Sequence, residues 1–394
     1  MSKKCILVGV SGGISAYKIC SLVSSLKKQD YEVHVLMTEA ATQLVGPVTF
    51  ETLSGEPVIL DLFEVNGPLH VPHISLAKKA DLFVIAPASA DIIAKVSHGI
   101  ADDMLTTTFL AATCPKVIVP AMNTHMLENP ITQDNIQKCR DYGMHILESG
   151  DGYLACGDTG KGRLPEPEEI EDYILEVLDT DKFLKGKKVL ITAGPTQEAL
   201  DPVRYITNHS SGKMGYALAK AARNAGADVT LVAGKNHLTP IRGVKTISVT
   251  SAEDMKKAVL PLQKKMDVMI LSAAVADYRP KKMAKEKIHK SGKGMDLELE
   301  RTTDILKTLG DNKKKGQVLI GFAMETENLV ASAKDKLKKK NCDYIIANNL
   351  RDEGAGFGVD TNVVTIISKK EEKKLGLLSK DEVAKEILTY CLKG

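Results

Sequence analysis

Apolar runs of six or seven residues, rich in Val, Ile and Leu, recur along the chain. CILVGV (5–10), EVHVLM (32–37), LFVIAP (82–87), KVIVPA (116–121) and MHILES (144–149) form a first series. Amphipathic or mixed stretches of about 10–15 residues separate most of them. Runs this short and uninterrupted predict strands buried on both faces, and the stretches between them predict crossover helices. The expected fold class is therefore α/β with a mostly parallel sheet. The pattern then restarts with VLITAG (189–194), DVTLVAG (228–234), DVMILSA (267–273), QVLIGFA (317–323) and DYIIAN (343–348). Between the two series lies LPEPEEIEDYILEVLDTDKFLKGKK (164–188), with two prolines, an acidic start, an amphipathic middle and a basic end. That charge order suits a helix, with anions near its N-terminus and cations near its end. A domain boundary is expected at residue 186, giving domains 1–186 and 187–394. The halves share a rhythm but no motif, so they are not repeats.

Length and composition agree with this division. At 394 residues the chain is long enough for two full cores, or three. The balance of 53 basic against 50 acidic residues is too even to make nucleic acid or a membrane surface the main partner. No apolar run approaches the roughly 18 residues that span a bilayer. The start, MSKKCILVGVSGG, superficially resembles a signal peptide. Its apolar stretch is only Cys5 to Val10 and runs into glycines, which reads better as a first strand and its turn. Seven cysteines without paired spacing fit a reducing compartment, so a soluble cytoplasmic protein is expected. Lysines concentrate between Lys256 and Lys293 and in KDKLKKK (334–340). Most read as a solvated helix face, with a few free to converge on phosphates.

The nucleotide motifs that fail narrow the chemistry. GVSGGISAYK, Gly9 to Lys18, is a glycine-rich turn opening a helix, where unpaired N–H groups and the helix dipole favour a phosphate. It lacks the G-x-G-x-x-G fingerprint, having Ser11 and Ile14 at the second and third glycine positions, and so favours a mononucleotide over NAD. SSGKMG (210–215) resembles a P-loop, but Met214 replaces the Ser or Thr and no glycine stands five residues before Gly212. A Walker-type NTPase is disfavoured.

Three residues of the first half stand out: His73 in HVPHISLA, Asn123 in PAMNTHM after a strand, and Cys156 in GDGYLACGDTGKGR. The last stretch holds five glycines and shows neither strand nor helix period. In open α/β sheets ligands bind beyond the carboxyl ends of the strands, where loops carrying Gly12, Ser89 and Asn123 would gather. A cysteine on a flexible loop can close over a substrate and supply a proton. Taken singly, each has a plainer reading: an exposed His, a turn-forming Asn, an inert Cys.

The ordered set GVSGGISAYK, HISLAKKADLFVIAPASADIIAKVSHGIADDMLT, PAMNTHM and GYLACGDTGKGR resembles the flavoprotein cysteine decarboxylases, specifically phosphopantothenoylcysteine decarboxylase. LITAGPTQEALDPVRYITNHSSGKMG, AAVADYRP, EKIHK and GFAMET resemble phosphopantothenate–cysteine ligase. The order of the halves is that of the bifunctional coenzyme A biosynthesis family. The resemblance implies a flavodoxin-like or Rossmann-like flavoprotein domain followed by a Rossmann-like ligase domain. The first would bind FMN and act on 4′-phosphopantothenoylcysteine. Oxidation of the substrate thiol to a thioaldehyde would delocalise charge as CO₂ leaves, with the flavin as electron sink, and the enethiol would then be protonated and take its electrons back. On the family pattern His73 is the base, Asn123 holds the substrate carboxylate, and Cys156 donates the proton. Gly12, Ser15, Thr38, Ser89 and Thr106 are the implied flavin contacts.

The second domain would activate 4′-phosphopantothenate with a nucleoside triphosphate, CTP in the bacterial type, and the amine of cysteine would attack the acyl-nucleotide. Lysines and Mg²⁺ would neutralise the phosphates. On matching positions Asn208 contacts the acyl intermediate, and Asp277 and Lys287 bind nucleotide. Phe322, Lys336 and Lys340 line the same pocket, beside the backbone of Thr303, Asp304, Ile305 and Leu306. Relatives of the first domain form trimers and ligase domains pair, so a homo-oligomer is implied, closing as a dodecamer.

Two positions depart from the family: Leu127 where an aromatic is usual, and His289 in EKIHK where the third position is usually Lys. His titrates near 6.5, which would weaken phosphate attraction at high pH. Neither carries an assigned role. A peptidyl-cysteine decarboxylase is the nearest alternative, and the attached ligase half argues against it. A non-catalytic phosphatase regulator is disfavoured by the joint presence of His73, Asn123 and Cys156, and an NAD-dependent dehydrogenase by the missing fingerprint.

Overall fold

The computed structural model describes residues 3–62, 71–179, 181–289, 295–325, 329–349, 356 and 358–393. Lys290 of EKIHK and Thr326 of GFAMET lie outside them. The chain divides into two compact units, Met1–Asp179 and Thr180–Gly394. The sequence boundary at 186 falls a few residues later, because the stretch before it contributes Leu184 to the second unit's core.

In the first unit, β1 (Cys5–Val10), β2 (Glu32–Met37), β3 (Leu82–Ala88), β4 (Lys116–Pro120) and β5 (His145–Ile146) form a parallel sheet of order β2-β1-β3-β4-β5. Every residue of β1 and β3 is buried, as a strand covered on both faces requires. Alternation sends Ile6, Val8 and Val84 to one face, against Ile19, Leu22 and Leu26 of the Ala16–Lys28 helix and Ile174 of the Pro167–Leu178 helix. Leu7, Phe83 and Ile85 go to the other, against Ile92, Leu105 and Phe109. Each such side chain contributes about 1.5–3 kcal/mol by leaving water. The glycine-rich stretch after β5, read as a loop without period, folds instead into an antiparallel hairpin of β6 (Gly150–Tyr153) and β7 (Thr159–Arg163). Its ladder is made by backbone, which is why the side chains carried no signal.

The second unit begins with β8 (Lys188–Ala193), followed by the antiparallel pair β9 (Gln197–Ala199) and β10 (Tyr205–Thr207). Its main sheet continues with β11 (Asp228–Ala233), β12 (Lys245–Ser248) and β13 (Val268–Leu271). A second antiparallel pair, β14 (Tyr278–Pro280) and β15 (Leu299–Arg301), precedes β16 (Val318–Glu325) and β17 (Tyr344–Asn349). The short β18 (Thr361–Asn362) and β21 (Leu378–Ser379) pair around β19 (Val364–Ser368) and β20 (Glu372–Lys374). The main sheet has eight strands in the order β12-β11-β8-β13-β16-β17-β19-β20, parallel as far as β17 and antiparallel beyond. One face packs on the Lys213–Asn224 and Lys380–Leu392 helices, the other on the Ala252–Val259, Ile305–Asp311 and Leu329–Lys339 helices. Among the described residues no helix is long and apolar enough to cross a membrane.

One contact sets how close the Lys213–Asn224 helix comes to its sheet. A Cβ added at Gly215 would lie 2.5 Å from Ala193 Cβ and 2.8 Å from Ser272 Oγ. Gly215→Ala should therefore destabilise the second unit by about 1–3 kcal/mol through overpacking. Calorimetry of the full chain should show its transition moving to lower temperature, and an unchanged melting curve would contradict this packing.

Candidate functional site

Each unit gathers many, though not all, of its predicted residues at the carboxyl-terminal edge of its sheet. In the first, the strand order reverses between β1 and β3, so the loops leaving them open a crevice there. Ser11 ties the two loops together. Its hydroxyl donates to Pro87 O (2.7 Å) and accepts from the Ser89 N–H (2.9 Å). A Cβ at Gly12 would sit 2.5 Å from Ala40 Cβ, so the first turn can approach the loop after β2 only because this residue is glycine. Ser15 precedes the Ala16–Lys28 helix and its hydroxyl makes no capping bond. The hydroxyls of Thr38 and Ser89 each cap a helix, accepting from Ala41 N and Ile92 N at 3.3 Å. This crevice of N–H groups, hydroxyls and a glycine cradle fits a phosphate-bearing flavin. Thr106 is placed differently: it is buried, and its hydroxyl donates to Asp103 Oδ1 (2.7 Å) in a capping box.

The hairpin completes this site. Gly162, at φ +119°, lies so close to the loop after β4 that a Cβ there would be 2.1 Å from Met122 O. Met122 N donates to Gly162 O (3.0 Å), and Thr124 Oγ1 to Lys161 O (2.7 Å). Pressed there, the hairpin delivers Cys156 to Asn123. The Asn123 amide donates to Cys156 Sγ (3.3 Å) and Asp158 Oδ2 (2.9 Å), and the thiol donates to the same carboxylate oxygen (3.3 Å). At the hairpin's end Lys18 Nζ meets Glu166 at 3.0 Å and Arg163 pairs with it too. The Lys18 ammonium holds the Glu166 carboxyl below the usual carboxylate range.

His73 stands in the first turn of the Pro72–Lys79 helix. Among the described residues its buried Nδ1 has no hydrogen-bond partner, an arrangement that is costly unless something else comes to it. Among the described residues no bond joins it to the Asn123, Cys156 and Asp158 group. Asp158 was not anticipated, although it stands two residues from Cys156 in the same motif.

In the second unit a cavity of about 540 Å³ opens over the ends of β8, β13 and β16. Asn208, Asp277, Thr303, Asp304, Ile305, Leu306, Phe322, Lys336 and Lys340 all line it. The Asn208 amide donates to Ala274 O (3.1 Å), tying the loop after β10 to the loop after β13. Lys340 pairs with Asp304 at 3.0 Å, and Asn341 Nδ2 anchors Gly310 O (2.9 Å), which brings the Ile305–Asp311 helix to the end of Leu329–Lys339. Lys287 is exposed and not part of the lining. Its neighbour Ile288 is held by Asp201, whose Oδ2 accepts from Ile288 N (3.1 Å). Lys213, Asn348, Asn362 and Lys380 also line the cavity and had not been singled out.

A family model described as Flavoprotein matches residues 1–179, and one described as DNA/pantothenate metabolism flavoprotein C-terminal domain matches residues 184–393. The chain is 49% identical over 394 residues to the Coenzyme A biosynthesis bifunctional protein CoaBC of Bacillus subtilis (strain 168), covering 98% of this chain and 96% of that protein. It is 44% identical over 392 residues to the protein of the same name from Haemophilus influenzae, covering 100% and 98%. A crystal structure of the C-terminal domain of a Coenzyme A biosynthesis bifunctional protein CoaBC matches with a TM-score of 0.46 at 49% identity, covering 53% of this chain and 95% of that one.

Cys156 is the one exposed cysteine of seven. Burial pushes the thiols of Cys5, Cys342 and Cys391 up to about 12 and that of Cys139 to about 11, and raises Cys20 and Cys114. Since the thiolate is the nucleophile, limiting iodoacetamide near neutral pH should alkylate Cys156 first. Peptide mass spectrometry checks this, and earlier labelling of Cys20 or Cys114 would contradict the exposed placement of the hairpin thiol.

Proposed function

We propose, from the premise that the chain belongs to the bifunctional coenzyme A biosynthesis family, that its first unit is the phosphopantothenoylcysteine decarboxylase and its second the phosphopantothenate–cysteine ligase. The observation that supports the first assignment most directly is the Asn123, Cys156 and Asp158 cluster, held at the sheet edge beside the Ser11 crevice. An amide that can bind a carboxylate and a thiol that can give up a proton stand 3.3 Å apart. Decarboxylation of a cysteine unit needs both.

FMN would lie along the loops of Gly12, Ser15, Thr38 and Ser89, its phosphate toward the N-terminus of the Ala16–Lys28 helix. It supplies the electron sink that makes loss of CO₂ feasible. The protein's own share is positional. Asn123 exchanges its Asp158 partner for the substrate carboxylate and so fixes the bond that breaks. Cys156 Sγ, on the hairpin, delivers its proton to the enethiol carbon once CO₂ has gone. The imidazole of His73, with its unsatisfied Nδ1, takes up the substrate's proton as its thiol is oxidised.

In the second unit, CTP with Mg²⁺ would activate the pantothenate carboxylate. Lys336, Lys340 and the N–H groups at Thr303–Leu306, which line the cavity, would face the triphosphate, and Phe322 would offer an apolar wall. Asn208 holds the acyl group where the amine of cysteine attacks. Lys287, outside the cavity of its own unit, is carried as a nucleotide contact on the motif alone. Twofold pairing of the ligase units and threefold contacts of the flavin units would close into a dodecamer in the cytoplasm.

Cys156→Ser tests the decarboxylase reading. A hydroxyl is a far weaker acid than a thiol, so the variant should release CO₂ once and then stall, leaving reduced flavin and oxidised product. The flavin absorbance near 450 nm should stay bleached in Cys156→Ser but recover in the parent, a contrast of about 10² or more in turnover. Normal turnover would remove Cys156 from the proton-donor role.

A further inference from the structure

Two lysines of the second-unit cavity have no part in the assignment above. Lys213 is the first residue of the Lys213–Asn224 helix and Lys380 the first of Lys380–Leu392, and these helices share one face of the sheet. Lys336 and Lys340 reach the cavity from the helical layer on the opposite face. The cavity therefore has a lysine pair on each side of the sheet's edge.

The Lys213 and Lys380 pair is not an ordinary solvated face. Lys380 is only 7% exposed, a degree of burial that lysine rarely reaches unpaired. Its ammonium donates to the carbonyls of Val359 and, at 3.3 Å, Gly356, neither of which carries charge. Lys213 Nζ donates to Asp360 Oδ1 (2.6 Å) and Gly358 O (3.4 Å). Burial pulls the Lys380 amine below its ordinary value, the like charge of Lys213 pulls the same way, and Asp360 opposes both. Asp360 is thus paired directly with Lys213 and draws on Lys380 only through its charge, and its side chain is 87% exposed, free to swing into water. The buried amides Asn348 and Asn362 line the same cavity.

We propose that Lys213 and Lys380 form the subsite for the phosphate monoester of the pantothenate substrate, with Asp360 holding its place when the cavity is empty. The inference rests on the ligase reading and adds the direction in which the substrate lies. Phosphopantothenate carries a carboxylate at one end and a phosphate at the other. The carboxylate must meet the nucleotide's α-phosphate, so the second anion has to lie away from Lys336 and Lys340. The opposite lysine pair meets that need, and a phosphate dianion matches two ammonium groups better than one carboxylate does.

The test uses the full chain, with pyrophosphate release followed at saturating CTP, Mg²⁺ and cysteine. Lys380→Gln and Lys213→Gln should each raise KM for phosphopantothenate about tenfold or more, the loss of one charge-assisted hydrogen bond, with KM for CTP changing less than about twofold. Inorganic phosphate should compete with phosphopantothenate in the parent and compete less well in both variants. Asp360→Asn should do the reverse, lowering KM for phosphopantothenate and sharpening phosphate inhibition, a sign that a merely structural role would not produce. If KM for CTP rises instead, the pair serves the nucleotide, and if neither KM moves the subsite is absent. Should Lys380→Gln fail to fold, as thermal unfolding would reveal, the more exposed Lys213 and Asp360 variants decide. No pyrophosphate from the parent with CTP or ATP would overturn the ligase reading itself, a separate and recognisable failure.

Discussion

Both units depend on one constraint: a parallel sheet must be covered on both faces, so its strands carry mostly apolar side chains. β1 and β3 have no exposed residue, and β8, β11 and β13 are nearly as closed. Polar chemistry is thereby pushed out of the strands and into the turns that follow them. Because the strands are parallel, those turns emerge at one edge. The Ser11 crevice, Asn123 and the lysine-lined cavity are consequences of that geometry before they are features of any particular reaction.

The same constraint explains what the sequence disclosed. Runs such as CILVGV and LFVIAP are uninterrupted because both faces are buried, and they coincide closely with β1 and β3. The acidic start of the interdomain stretch marks the Pro167–Leu178 helix. The elements that escaped are those whose order comes from backbone or from tertiary contact. The β6–β7 hairpin is held by glycines and main-chain bonds, and β12 and β20 are short and polar; β19, Val364–Ser368, is an apolar run that was passed over. In the candidate sites the motifs carried most positions, yet they were silent on Asp158, which matters through its contact with Asn123 and Cys156. Lys213 was visible only within the SSGKMG motif and Lys380 was not singled out at all; their nearness to Asp360 exists in three dimensions alone.

The glycines show how tightly packing and chemistry are joined. Gly12, Gly162 and Gly215 each admit a backbone where a Cβ would collide, and each lies beside a proposed binding or reacting group. Removing hydrogen for methyl at such places disturbs position rather than reactivity, which is the commoner way to damage a site of this kind. The family's two activities also explain why the halves share a chain without sharing a motif. On the proposed reading one would hold triphosphate charge with lysines, and the other a flavin and a single carboxylate. The product of the C-terminal unit is the substrate of the N-terminal unit, so the chemistry runs against chain order.

That last relation is open to one direct measurement. The full chain is supplied with 4′-phosphopantothenate, Mg²⁺, CTP and cysteine labelled at its carboxyl carbon, and pyrophosphate and labelled CO₂ are counted together. The account predicts that the two accumulate in equal amounts, CO₂ lagging behind pyrophosphate, and that neither appears when the nucleotide is withheld. Labelled CO₂ released without nucleotide, or pyrophosphate accumulating with no CO₂, would contradict it.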